Sequence, residues 1–89
     1  MKKAYHLTYS GKVQGVGFRF AVKRIADKYM IVGWVRNLAN GKVDVFVQGE
    51  ESALDSFLKG VDLYFKDNIR DKLITEESSL QFDGFQIRY

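Results

Sequence analysis

The sequence predicts an α+β fold in which one antiparallel-dominated sheet carries two helices on the same face. Three observations point there. Apolar and polar residues alternate with period two near the N-terminus and on either side of an Asn-Gly turn. Two stretches show the 3–4 apolar spacing of amphipathic helices. These units follow one another as strand, helix, strand, strand, helix, strand.

The first strand starts at Lys3, with Tyr5, Leu7 and Tyr9 on one side and His6 and Thr8 on the other. Phe18, Val22, Ile25 and Tyr29, with Ala21 and Ala26 beside them, predict a helix between Phe18 and Met30. Ile31–Asn37 and Lys42–Gly49 are β-rich and flank Asn40-Gly41, a turn pair that tolerates positive φ, so together they read as a hairpin. Val43, Val45 and Val47 are expected to face the core. Ser52 is expected to cap the second helix, with Asp55 at its third position and Leu54, Phe57, Leu58 and Val61 as its apolar stripe. Between Tyr64 and Glu77 the pattern predicts a loop and then a short strand at Lys72–Thr75. The closing LQFDGFQIRY reads as a last strand bulged or broken at Asp83-Gly84. Trp34, Phe46, Phe57 and Phe82 read as packing residues. Two split βαβ units of this kind form the ferredoxin-like βαββαβ sandwich, here expected to span residues 1–89 as a single domain. That architecture hosts many functions and by itself assigns none.

Composition narrows the field. An apolar fraction of 46% and an aromatic fraction of 15% exclude a disordered tail. The chain has no cysteine, hence no disulfide framework, thiolate nucleophile or thiolate metal site. No apolar run approaches the ~20 residues of a membrane helix, and MKKAYHLTYS lacks the apolar stretch of a signal peptide. A soluble cytoplasmic protein is expected. The net charge of +3 favours anionic ligands, from small phosphates to RNA.

The chemistry gathers at GKVQGVGFRF, Gly11 to Phe20, where the first strand turns into the first helix. A phosphate needs converging N–H donors, and a helix N-terminus supplies them with a partial positive charge behind them. Glycines at 15 and 17 allow the main chain to curl into a nest of successive N–H groups. Arg19 follows in the first helical turn, and its planar fork engages two phosphate oxygens at once. Such a cup binds phosphate but does not hydrolyse it. The single histidine, His6, reads as a partly covered strand residue, and Glu50-Glu51 and Glu76-Glu77 read as solvated caps and loops rather than metal ligands. What remains is a neutral side chain that orients water, and Asn37, closing the second strand, is the candidate. From the residues alone, a plain strand–helix turn with a surface arginine stays open, as does a simple turn role for Asn37.

The two stretches together resemble the acylphosphatase family. G-K-V-Q-G-V-G-F-R, Gly11–Arg19, resembles its first signature and G-W-V-R-N-x-x-x-G, Gly33–Gly41, its second, while the final F-Q-I-R-Y also looks familial. The resemblance implies hydrolysis of carboxyl–phosphate mixed anhydrides to carboxylate and inorganic phosphate. It implies that Arg19 and the backbone N–H groups of Gln14, Gly15, Val16, Gly17 and Phe18 hold the phosphoryl group, and that Asn37 positions the attacking water. It implies no metal, no cofactor and no covalent enzyme intermediate. Acetyl phosphate, carbamoyl phosphate, 1,3-bisphosphoglycerate and aspartyl-phosphate proteins all present the same reacting group. The segment 62–78 departs from the family pattern: D-L-Y-F-K-D-N-I-R-D-K-L-I stands where a Gly/Pro/Ser-rich stretch is usual.

Two other readings follow. Similar modules occur at the N-terminus of larger hydrogenase-maturation proteins, so binding of phosphate or carbamoyl phosphate without turnover is one. A free-standing chain ending in I-R-Y is expected to speak against a fragment. The other is a ferredoxin-like RNA-binding module, which needs aromatics at the centre of the open sheet face. Only Phe46 is expected there, so no nucleic-acid partner is expected, no membrane partner, and nothing beyond a monomer.

Overall fold

The computed structural model describes residues 1–78 and 82–89. Its elements are β1 (Lys2–Gly11), α1 (Phe18–Lys28), β2 (Val32–Asn37), β3 (Val43–Glu50), α2 (Glu51–Tyr64), β4 (Ile69–Glu77) and β5 (Phe85–Arg88). The first six follow the βαββαβ order, and β5 is the last strand expected within LQFDGFQIRY. The sheet runs β4-β1-β3-β2-β5. Neighbours among the first four strands are antiparallel, and β5 lies parallel to β2.

Strand register explains the core. Leu7 lies opposite both Val45 on β3 and Ile74 on β4, and Val45 in turn lies opposite Val35. That row faces the helices, where Phe18, Val22, Leu54, Phe57 and Val61 are buried against it. Each such side chain contributes about 1.5–3 kcal/mol of apolar burial.

Helix α1 ends in a Schellman turn: Ile31 N–H donates to Ala26 O (2.8 Å) and Met30 N–H to Asp27 O (3.2 Å). Met30 takes the left-handed conformation there, φ 58°, without being glycine, so the helix stops two residues before the expected Met30 boundary. Ser52 is not the cap of α2. Strand β3 stays paired through Glu50, opposite Lys2, and the helix begins on the next residue with Glu50 as its cap. The Glu51 N–H is taken by Met1 O at 3.1 Å, and Ser52 lies inside the first turn.

The short strand expected at Lys72–Thr75 is a nine-residue edge strand, Ile69–Glu77. β1 is long enough to pair with all of it, from Ala4 opposite Glu77 to Gly11 opposite Ile69. Main-chain bonding holds this strand more than burial does, with Leu73 68% exposed, so its apolar alternation is weak. At the chain end a bend at Asp83-Gly84 precedes β5, as expected, whereas Leu80 and Gln81 lie outside the described residues.

On the sheet face away from the helices the ring of Trp34 stacks on Phe46 (centroids 6.2 Å apart), and Phe82 packs on Phe46 at 5.3 Å. The sequence reading put Phe46 on this face and turned His6 away from the Leu7 side, and both lie here; Trp34, opposite Phe46, joins them. The guanidinium groups of Arg36 and Arg88 lie 5.2 and 5.0 Å from the Trp34 ring centre. His6 is partly covered, its Nε2 3.3 Å from Asp44 Oδ1, which also accepts from Thr8 Oγ1 at 2.8 Å.

Tyr9 lies in the core edge-on to Phe18 (5.1 Å), and its hydroxyl is buried with no hydrogen-bond partner among the described residues. Burial pushes its phenol above the ordinary value, and the Asp62 charge acts in the same direction. Below the unfolded phenol value, about 10, both states keep the proton. As pH rises past it only the unfolded chain releases the proton, so stability falls. Tyr9→Phe is expected to hold or raise the melting temperature at neutral pH, since it removes an unpaired buried hydroxyl, and to flatten this alkaline loss. Thermal denaturation followed from pH 7 to 11 checks both.

Candidate active site

Between β1 and α1 the chain turns through two glycines. Gly15 and Gly17 both take positive φ, 74° and 77°. A Cβ there would meet no atom within 4 Å, so the left-handed backbone, and not crowding, is what favours glycine. Gly17 is the cap residue of α1 and supplies no side-chain hydrogen bond, and the first turn holds no acidic residue. The N–H groups at the helix start therefore keep their partial positive charge uncompensated.

A cavity of about 190 Å³ opens at this point, lined by Val13, Gly15, Gly17, Phe18, Arg19, Phe20 and Asn37. Of the residues expected at the site, it brings together Gly15, Gly17, Phe18, Arg19 and Asn37. Gln14 and Val16 alternate away from it: Val16 packs against the core, and Gln14 reaches sideways. Among the described residues no carboxylate pairs with Arg19; its guanidinium lies 4.8 Å from the ring centre of Tyr89. Asn37 ends β2, and its Oδ1 is buried with no hydrogen-bond partner among the described residues. A buried carboxamide oxygen without a donor is costly unless a ligand or water supplies one.

Gln14 links the two halves of this site. Its Nε2 donates to Leu38 O (2.7 Å) and Lys42 O (2.9 Å), the two ends of the β2–β3 turn that follows Asn37. That turn is closed by Leu38 N–H to Lys42 O (2.8 Å) and by Lys42 N–H to Asn40 Oδ1 (3.0 Å). The sequence reading valued Gln14 for its main chain and missed this side-chain tie. It also missed Tyr89 and Phe20. Phe20 had a local signal, adjacency to Arg19. Tyr89 had none, because only the parallel register of Arg36 with Arg88 brings the chain end level with Asn37.

Two larger depressions lie elsewhere. One of about 310 Å³ between α2 and β4 is lined by opposed charges, with Lys72 Nζ 2.7 Å from Asp62 Oδ2. The other, about 340 Å³, adjoins Lys2, Met30 and Ala53. The first holds no helix start, and the second adjoins the start of α2, where Glu50 and Glu51 set acidic side chains at the helix end. Among the described residues no helix is long and apolar enough to cross a membrane, and no group of three or more acidic or histidine side chains is placed to hold a metal ion.

Fold and cavity together describe a ferredoxin-like sandwich with a glycine-lined, cationic cup at its first strand–helix junction. A family model described as Acylphosphatase matches residues 5–87. An acylphosphatase of Pediococcus pentosaceus is 37% identical over 89 residues, covering 98% of this chain and 99% of that relative. The crystal structure of acylphosphatase from Bacillus subtilis matches with a TM-score of 0.88 and 37% identity over the whole of both chains. The crystal structure of full-length HypF in the phosphate- and nucleotide-bound form matches with a TM-score of 0.84 and 28% identity, covering 100% of this chain and 12% of that one. The chain belongs to the acylphosphatase family.

The Gln14 tie is open to direct test. Gln14→Ala is expected to lower stability by about 1–2 kcal/mol, for two lost hydrogen bonds, and to speed amide exchange at Leu38. Denaturant titration with hydrogen exchange by NMR reads both.

Proposed function

We propose that this chain hydrolyses acyl phosphates by in-line attack of a water held by Asn37 on a phosphoryl group held by Arg19 and the 14–18 backbone amides. The observation that carries this reading is the Asn37 carboxamide. Asn37 lines the same cavity as Gly15, Gly17 and Arg19, and among the described residues nothing donates to its carboxamide oxygen. A water donating to Oδ1 keeps a lone pair free for phosphorus, while the amide NH₂ has a phosphoryl oxygen within its chemistry. As the new P–O bond forms, the bond to the acyl oxygen breaks and carboxylate leaves. The water's protons stay with the phosphate, giving dihydrogen phosphate before it titrates. Carboxylate is a stable leaving group, so no strong general acid is required. Positioning and charge stabilisation do the catalysis.

The family match over residues 5–87 supports a single domain. The absence of cysteine fits a reducing cytoplasm. The same family match supports a small-molecule acyl phosphate substrate. The match to a small part of HypF favours one second reading, a phosphate-binding module without turnover.

Hydrolysis of benzoyl phosphate, followed by absorbance with chelator present, separates the two. Wild-type turnover is expected to survive chelation. Asn37→Ala is expected to lower kcat by about 10²–10³, on the scale of losing one oxyanion donor. Arg19→Ala is expected to abolish binding and turnover together. Arg19→Lys is expected to fail as well, because a point charge does not replace the fork. Near wild-type turnover in Arg19→Lys overturns the bidentate role, and a folded wild type without turnover leaves the binding module.

A further inference from the structure

The α2–β4 connection, where this sequence departs from the familial pattern, lies against the back of the cup. Lys12, which leads into the cup, is held at both of its main-chain groups by one residue. Its N–H donates to Asn68 O at 2.9 Å, and its carbonyl accepts from Asn68 Nδ2 at 3.1 Å. Beside it Gly11 takes φ 122°, and a Cβ there would run into Asn68 O and approach Arg70 N to 2.6 Å. The two main chains come as near as glycine alone permits. The β1–β4 pairing slips at the same place, from Ser10 opposite Asp71 to Gly11 opposite Ile69. Asn68 is anchored in turn, its N–H donating to Phe65 O at 2.9 Å. The Phe65 ring lies 4.7 Å from that of Phe18, the far end of the cup. One connection thus touches both ends of the 12–18 segment.

We propose that Asn68 is a positioning residue that sets the curvature of the 12–18 main chain, and so the cup's affinity for a phosphoryl group, without touching the ligand. The proposal rests on the reading of that cup as the phosphoryl site. Converging donors bind an anion only when their directions are held, and here the segment's entrance is gripped at donor and acceptor together. The Asn37 hairpin is tied separately through Gln14, so loss of the Asn68 grip leaves the water-positioning side in place. Weaker holding of ground and transition states alike raises KM and leaves kcat unchanged.

The test titrates inorganic phosphate into ¹⁵N-labelled full-length protein, following the 14–18 amides, and measures kcat and KM with benzoyl phosphate. Wild type is compared with Asn68→Ala and with Leu58→Ala, a partly buried α2 residue packed against the core and outside the cavity, as the control for general softening. Asn68→Ala is expected to raise the phosphate Kd and KM together by about three- to tenfold, with kcat within about twofold. Leu58→Ala is expected to lower the melting temperature and leave Kd unchanged. An unchanged Kd in Asn68→Ala, or an equal rise in Leu58→Ala, overturns the positioning role. A wild type that binds phosphate without turnover defeats the hydrolysis reading alone, and the Kd comparison then still decides for or against Asn68. A wild type that binds no phosphate overturns both.

Discussion

Helix α1 starts on a left-handed glycine with no side-chain cap, and the open main-chain donors this leaves are what the surrounding structure serves. Such donors fall to water or to a ligand. They select an anion only if the chain carrying them is rigid, yet glycines at 11, 15 and 17 make it intrinsically loose. Rigidity comes from outside. Gln14 fastens one side to the β2–β3 turn, and Asn68 fastens the entrance at Lys12. Beneath, Phe18 is wedged between the rings of Tyr9 and Phe65.

Charge is arranged to the same end. Arg19 has no carboxylate partner among the described residues, while several acids pair elsewhere. Asp44 serves His6, Thr8 and Arg36 on the opposite face of the sheet. Asp27 pairs with Lys23, Asp62 with Lys72, and Glu51 with Lys3. These exposed pairs add little stability. Their consequence is electrostatic: the helix start and the arginine beside it keep their positive potential for an incoming anion.

Sheet topology then delivers the partners. The β2–β3 hairpin carries Asn37 to the same sheet end as the β1–α1 turn, on the helix-side row that includes Val35. Strand β5, laid parallel on β2, brings Tyr89 over Arg19. Neither arrangement depends on local conformation at the cup. Both depend on register, and a shift of one residue would turn Asn37 to the other face.

The elements, the cup and its two principal side chains were legible in the sequence because each rests on local chemistry. Period-two and 3–4 spacings reflect which face of a strand or helix is buried, and Val43, Val45 and Val47 announced theirs. Glycines at 15 and 17 announced a left-handed turn, and Arg19 and Asn37 stood next to strong local signals. Where burial was slight, the signal faded: β4 is an exposed edge strand held by main-chain bonds, so only its middle stood out. Where pairing overrode propensity, the reading failed: β3 remained in the sheet to Glu50 and left Ser52 no place to cap. By itself the sequence determined the fold class and the glycine turn, since these follow from neighbours along the chain. Only the tertiary structure decided that Asn68, Phe65 and Tyr89 surround that turn and that the Gln14 side chain ties it to the β2–β3 turn, because strand register and the α2–β4 connection bring together residues that no local spacing relates.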